Sequence, residues 1–264
     1  MKSAIDTKIV STLKTRANND CLSQMADTPL ENSEVLLQKR KVAMLGLFLV
    51  AIAPSISVIT GFALKAGAFA VIVFIFIKIW IFGLPSFWHI RIEKQKVSFS
   101  PVEKGGWSMA FILGIGMMLV VWLAYFILGE KMLQPEALKA ILDPVGLTVP
   151  WKFAAAIVFW VFINSVLEEY VFRWFITSKI EQLVGGKWRS SFLSSAVFTL
   201  HHSIALIFFL DPLGTVIASI GVFIGGTVFS WLYLEYRSIW IAWIAHAFAD
   251  IAIFVIAWKI VIGF

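Results

Sequence analysis

Seven long apolar runs constrain this chain more than any other feature of its sequence. Each is close to the ~20 residues that an α-helix needs to cross the hydrocarbon core of a bilayer. The runs lie at 42–64, 67–88, 107–128, 151–176, 190–210, 213–233 and 238–262. Because backbone polar groups must be paired within lipid, runs of this length predict transmembrane helices. An eighth half-span would result if Leu84-Pro85 broke the second run.

The composition agrees with a membrane protein, since 60% of the residues are hydrophobic and 14% are charged. Soluble domains carry about 45–50% apolar and roughly 25% charged residues. The predicted fold is an all-α polytopic membrane protein of about seven helices. A polar tail at 1–41 precedes the transmembrane domain at 42–264, and a short amphipathic surface helix is predicted at 134–142.

The basic residues between the runs predict the orientation of the chain. With the N-terminus inside, the inner segments carry eleven Lys and Arg residues and the outer segments carry four. Inner loops of membrane proteins are enriched in these residues, which predicts a cytosolic N-terminus. The net charge of +6 then indicates contact with anionic lipid, and no nucleic-acid partner is expected. The compact length of 264 residues favours a bacterial cytoplasmic membrane.

Residues 167–175, with the sequence LEEYVFRWF, place three charges inside the fourth run. Glu169 and Arg173 are spaced i, i+4 with the acid first, which is the favourable order for an ion pair on a helix. We predict that they form a structural pair. Glu168 is turned about 100° from Glu169 on an α-helix. Glu168 is therefore expected to face the neighbouring helices and their histidines.

Four polar residues on three runs fall at a similar depth in the membrane. At ~1.5 Å per residue from the inner ends, Glu168 lies roughly 16 Å deep, His246 about 14 Å, and His202 and Asp250 about 20 Å. Ionisable residues inside a membrane are costly and indicate a functional site. We predict one buried polar site among spans four, five and seven. Only one of the adjacent His201 and His202 is expected to point to its centre.

A carboxylate with two imidazoles can activate water to hydrolyse a peptide bond. In a metal-free route, Glu168 is the general base, while histidine and Asp250 orient the water and stabilise the oxyanion. In a zinc route, the metal activates the water, and the candidate ligands are Glu168, His202, His246 and Asp250. The sequence leaves both routes open.

Three segments resemble the motifs of the CPBP family, the CAAX proteases and bacteriocin-processing enzymes also called Abi. The family pattern is EExxxR, FxxxH and HxxxN or HxxxD on separate transmembrane helices. Here the segments are EEYVFR at 168–173, FTLHH at 198–202 and HAFAD at 246–250, within a similar region of about 150–255. The resemblance implies an intramembrane endopeptidase with a cytosol-facing cavity.

The resemblance also implies a role for each matching residue. Glu168 would be the catalytic base, with His202 beside it on the water, and His246 with Asp250 would form the oxyanion side. Asp250 stands where eukaryotic CAAX enzymes typically have Asn. The implied substrate is a membrane-associated or secreted peptide or protein that enters from the membrane or the cytosol. It would be either a CAAX protein or a bacteriocin or leader peptide.

Two other functions remain open at this stage. One is a non-catalytic membrane protein of the same fold that acts in bacteriocin self-immunity or as a scaffold. The less favoured one is a proton-coupled transporter, which would predict inverted repeats that the sequence does not display.

Lys78 in the second run has three open roles: lining the same cavity, pairing with an acid, or snorkelling to the headgroups, and a structural role is favoured. The oligomeric state is not indicated.

Overall fold

The computed structural model describes residues 29–63 and 68–263, and the regular elements within them are helices. These residues contain no strand, only a single bridge between Leu133 and Leu210. The helices are α1 (Pro29–Ala51), α2 (Ala53–Val58), α3 (Ala68–Phe87), α4 (Trp107–Met132), α5 (Pro135–Leu142), α6 (Pro150–Val184), α7 (Lys187–Leu206), α8 (Pro212–Tyr236) and α9 (Ile239–Val261). Helix α5 corresponds to the predicted amphipathic surface helix.

The described residues divide into two units, one that ends at Val42 and one that begins at Ala43. Residues 1–28 of the predicted tail, and the predicted loop around Lys65, lie outside the described residues. The first described helix begins at Pro29, well before the predicted first span at 42. The Leu, Glu, Gln and Lys residues that precede the apolar run are good helix formers, which explains the extension of the helix ahead of that run.

Six helical stretches in the described part of the chain are long and apolar enough to cross a membrane. They are Ser33–Gly61, Val71–Ile92, Trp107–Gly129, Pro150–Val184, Pro212–Tyr236 and Ile239–Val261. Each coincides with one of the seven predicted runs. The protein is therefore a polytopic all-α membrane protein, as predicted.

The fifth predicted span, at 190–210, is not among these six stretches. Helix α7 has 20 residues and buries four serines, Ser190, Ser191, Ser194 and Ser195. These side chains face other helices, so the polarity of α7 is directed into the protein. The second run is not broken at Leu84-Pro85, because Pro85 lies inside α3 and the helix continues beyond it. A half-span beginning there is therefore not formed.

Glycines allow two helix pairs to approach closely. A Cβ atom at Gly226 of α8 would lie 2.7 Å from Ser195 Oγ of α7, and one at Gly114 of α4 would lie 3.1 Å from the Ala245 Cα of α9. Ser195 Oγ also donates a hydrogen bond to the Phe223 carbonyl of α8. These contacts hold α7 and α9, which carry the predicted site histidines, against their neighbours.

The main apolar core joins α4, α8 and α9 next to the predicted site. Its buried members are Ala110, Phe229, Leu232, Tyr233, Leu234, Ile239, Ile241, Ala242 and Ala245. Ala245 directly precedes His246, so core packing fixes the part of α9 that carries this histidine. Many large apolar side chains outside the core are exposed, including Phe126 at 87%. Exposure of this kind fits a surface covered by lipid.

We expect Gly226→Leu to destabilise the protein, because the new side chain would overlap Ser195 and Phe198. Overpacking of this kind typically costs about 1–3 kcal/mol. The matched control is Gly221→Leu, since a Cβ at Gly221 meets no described atom within 4 Å. Thermal unfolding in detergent should give a lower midpoint for Gly226→Leu and a near-normal one for Gly221→Leu. Equal midpoints would contradict the close approach of α7 and α8.

Candidate active site

The segment that carries the two glutamates does not wind as a regular α-helix. Within α6, the residues Trp160–Asn164 and Glu169–Thr177 form π-helical turns on either side of the short α-helical stretch Ser165–Glu168. For example, the Ser165 N–H bonds to the Trp160 carbonyl five residues earlier. Such turns are rare and frequently occur at functional sites.

Glu169 and Arg173 form the predicted ion pair at the centre of the protein. Arg173 Nη1 lies 3.0 Å from Glu169 Oε1, and both side chains are 0% exposed. The guanidinium also lies over two aromatic rings, 4.3 Å from the Phe198 centroid and 5.0 Å from the Phe229 centroid. Cation–π contacts strengthen when the cation is removed from water. The arginine therefore ties α6 to both α7 and α8.

His246 joins this pair to the other candidate residues. Its Nδ1–H donates to Glu169 Oε1 at 2.8 Å. Its Nε2 lies 3.8 Å from Glu168 Oε2 and 3.6 Å from Asp250 Oδ1. Two of the other three predicted catalytic residues thus approach this imidazole, and Glu169 fixes the orientation of the ring.

The division of roles within the glutamate doublet differs from the one expected on a regular α-helix. Glu169 does not serve Arg173 alone, because it also bonds to His246. Glu168 and Glu169 approach the two different nitrogens of the same ring. The backbone at both glutamates has α-helical dihedral angles, so their long side chains, and not a change in winding, allow both to reach the ring.

His202 lies against Phe198, the ring that also covers Arg173. Its Nδ1–H donates to the Phe198 carbonyl at 2.9 Å, which leaves Nε2 available for water or substrate. The Phe198 ring centroid is 4.3 Å from that of His202 and 6.0 Å from that of His246. His202 interacts electrostatically with Glu168 and His246. The fourth predicted residue therefore belongs to the same cluster.

His201, the histidine that the sequence analysis did not assign to the site, packs beside it. Its ring stacks on Phe172 with centroids 5.1 Å apart and lies 4.1 Å from the His202 ring. His201 also lines a cavity of about 130 Å³ beside Glu168. The adjacent histidines thus occupy two sides of one polar region.

The cavity lies between α2, α3, α6 and α7. Most of its wall is apolar, with Phe74, Ile77, Ile81, Phe82 and Phe172 among the lining residues. Its polar lining includes Glu168, His201 and Lys78. Of the roles left open for Lys78, the structure therefore shows that it lines this cavity. An apolar pocket with a few convergent polar groups is the usual form of a substrate site.

The four candidate metal ligands have other contacts in the described structure. Across the described residues, no three His, Cys, Asp or Glu side chains are grouped as a metal would require. The Nδ1 atoms of His202 and His246 are both engaged in hydrogen bonds, and His246 Nε2 is near Glu168 and Asp250. The described residues thus present no preformed metal group, and the zinc route stays a prediction, since metal-binding histidines usually donate their other ring N–H in the same way.

Comparison with known protein families gives one match, to Type II CAAX prenyl endopeptidase Rce1-like proteins over residues 150–252. This segment is an Rce1-like domain of the CAAX protease family. It contains all four predicted catalytic residues and the Glu169–Arg173 pair. Neither a curated protein nor a solved structure matches the chain. The resemblance drawn from the three motifs is thus confirmed for residues 150–252, the segment that matches a family of membrane proteases.

Two residues close to Glu168 were not assigned to the site from the sequence. Asn164 lies within the Rce1-like domain, and Lys78 lies outside it. Asn164 Nδ2 donates to Glu168 Oε1 at 2.7 Å, and Lys78 Nζ donates to Asn164 Oδ1 at 3.4 Å. The i, i+4 spacing of Asn164 and Glu168 was a usable signal, since such residues share a helix face. No sequence pattern predicted the contact between Lys78 and Asn164, because these residues are 86 positions apart.

We expect Arg173→Met to destabilise the protein strongly, because Glu169 would keep a buried charge without its arginine. Removing one member of a buried pair typically costs about 3–5 kcal/mol. Lys187→Met is the control, because Lys187 and its partner Glu235 are 40% and 38% exposed. An exposed pair contributes at most about 1 kcal/mol. Thermal midpoints in detergent should separate the variants, and similar losses for both would contradict a central role for Arg173.

Proposed function

We propose that this protein is an intramembrane endopeptidase in which Glu168 activates a water molecule. The observation that carries the proposal is the position of Glu168. Its carboxylate borders the mainly apolar cavity and lies 3.8 Å from His246 at the end of a buried polar cluster. The membership of residues 150–252 in a membrane protease family supports the reaction class.

The reaction begins when Glu168 Oε2 takes a proton from water. The water oxygen attacks the carbonyl carbon of the peptide bond, and the carbonyl oxygen takes the negative charge. The C–N bond then breaks, and the proton held by Glu168 passes to the leaving nitrogen. This gives one carboxylate and one amine product. A positioned carboxylate base of this kind typically contributes about 10²–10⁴-fold to the rate.

His202, His246 and Asp250 would position the water and stabilise the developing oxyanion. The Nδ1 atom of His202 is bonded to Phe198, and that of His246 is bonded to Glu169. Nε2 is therefore the remaining nitrogen of each ring. Asp250 Oδ1 lies 3.6 Å from His246 Nε2, which supports a role in orienting this imidazole. Fixed donors aimed at a developing charge are usually the largest electrostatic contribution to such a reaction.

The proposed substrate is a peptide that reaches the cavity from the bilayer or the cytosol. The mainly apolar wall suits an apolar side chain next to the cleaved bond. Both a prenylated CAAX protein and a bacteriocin or leader peptide offer such a side chain. We also propose that the protein lies in a bacterial cytoplasmic membrane with its N-terminus in the cytosol, on the basis of the basic inner segments.

We predict that Glu168→Gln abolishes cleavage, because the amide cannot accept the proton from water. The fall in kcat should reach about 10²–10⁴-fold. The readout is a mass-spectrometric comparison of small membrane and secreted peptides from cells that carry the wild-type protein or the variant. Purified proteins are then tested on the peptides that differ.

Glu181→Gln is the matched control, because Glu181 pairs with Arg237 and the two side chains are 29% and 46% exposed. It should retain wild-type cleavage. If Glu168→Gln retained full activity, Glu168 would not be the base. If neither protein cleaved any peptide, a non-catalytic immunity or scaffold function would replace the proposal.

The metal-free route makes a separate prediction. Because the described His, Asp and Glu side chains do not form a preformed metal site, purified protein should keep its activity in a chelator. Metal analysis of the same sample should find less than one equivalent of zinc. Loss of activity with the chelator, restored by added zinc, would favour the metal route with ligands among Glu168, His202, His246 and Asp250.

A further inference from the structure

The proposed base, Glu168, is held by a hydrogen-bonded chain that begins outside the Rce1-like domain. Lys78 of α3 donates to Asn164 Oδ1 at 3.4 Å, and Asn164 Nδ2 donates to Glu168 Oε1 at 2.7 Å. Lys78 precedes the family match at 150–252, so this contact comes from the N-terminal half of the chain.

The chemistry of the three groups fixes the orientation of the Asn164 amide. An ammonium group can only donate hydrogen bonds, and an ionised carboxylate can only accept them. The amide oxygen must therefore face Lys78, and the amide nitrogen must face Glu168. Reversing the amide would lose both hydrogen bonds. Lys78 is thus able to act on Glu168 through Asn164 by holding this amide in one orientation.

The contact also makes the two oxygens of Glu168 different. Oε1 accepts the hydrogen bond from Asn164, whereas Oε2 lies 3.8 Å from His246 Nε2. One oxygen is therefore held, and the other is left for a proton from water. Hydrogen bonds to a charged group are shorter and stronger than neutral ones, and more so where water is scarce.

Lys78 is itself held in place by its surroundings. Its Nζ lies 5.3 Å from the centre of the Phe74 ring and 5.6 Å from that of Phe82. All three residues line the cavity that Glu168 borders. The ammonium group is thus directed into the protein at the level of the site, and a snorkelling role does not account for its contacts.

We propose that Lys78 and Asn164 are positioning residues that orient Glu168 for water activation. The proposal rests on the function proposed above, in which Glu168 is the base. It adds the N-terminal half of the chain to the catalytic machinery. Neither residue touches the reacting atoms, so each acts through the orientation of the Glu168 carboxylate.

The test uses purified full-length protein and internally quenched peptides, including a prenylated CAAX-terminated peptide. Lys78→Met removes the cation and keeps an apolar side chain, and Asn164→Leu removes the amide at similar size. Each should lower kcat about ten- to hundred-fold with little change in KM, as expected for a hydrogen bond to a charged group. Lys78→Arg should restore most of the lost activity, since arginine retains a donor for Asn164.

The double variant tests whether Lys78 acts through Asn164. If it does, Lys78→Met combined with Asn164→Leu should be no slower than Asn164→Leu alone. Independent contributions would multiply instead. Lys259→Met is the matched control, because Lys259 also lies over an aromatic ring, that of Tyr125 at 5.5 Å, and has no place in the site. This control should have wild-type kcat.

A second substitution at Asn164 distinguishes a change in kcat from a loss of folded protein. Asn164→Asp is close in size and retains an acceptor for Lys78, but it presents a second carboxylate to Glu168. It should lower kcat at least as far as Asn164→Leu while the thermal midpoint stays near that of the wild type. A purely structural role would lower the midpoint and leave the kcat of the folded fraction unchanged, which would overturn the proposal.

The outcomes also separate this inference from the proposed function. If Glu168→Gln is inactive but the Lys78 and Asn164 variants have normal kcat, only the positioning role fails. If Glu168→Gln cleaves as well as the wild type, the proposed function fails, and the positioning role fails with it.

Discussion

The buried ion pair between Glu169 and Arg173 is the interaction on which the rest of the site depends. In a medium of low dielectric constant, either charge alone would be very costly. Arg173 contacts Phe198 of α7 and Phe229 of α8, and Glu169 bonds to His246 of α9. One pair on α6 therefore fixes three neighbouring helices. The pair thus holds the His246 ring and links α6 to α7 and α8.

Two adjacent glutamates of α6 serve one histidine. In a regular α-helix, Glu168 and Glu169 would point about 100° apart. In this segment they reach Nε2 and Nδ1 of the same imidazole. The fully buried Glu169 orients the ring, and Glu168, with its side chain 23% exposed, borders the cavity. Burial thus distinguishes a structural carboxylate from one that can meet water.

The site also joins the two halves of the chain. The Rce1-like domain at 150–252 carries the glutamates and histidines, whereas α2 and α3 supply much of the cavity wall. Lys78 extends this contribution to the hydrogen bonds around Glu168. Because an apolar wall keeps bulk water from the polar cluster, the electrostatic contacts inside it are stronger than they would be in water. The N-terminal half therefore shapes the site without carrying a family motif.

The sequence by itself determined the helical membrane fold, because long apolar runs in lipid leave few alternatives to helices. It also determined which residues cluster, since the motif spacing and a common depth brought together Glu168, His202, His246 and Asp250. The tertiary structure alone decided the bond between Glu169 and His246, the position of His201 on the cavity, and the chain from Lys78 to Glu168. The spacing of residues along one helix determines which of them share a face, whereas contacts between helices depend on how their side chains pack.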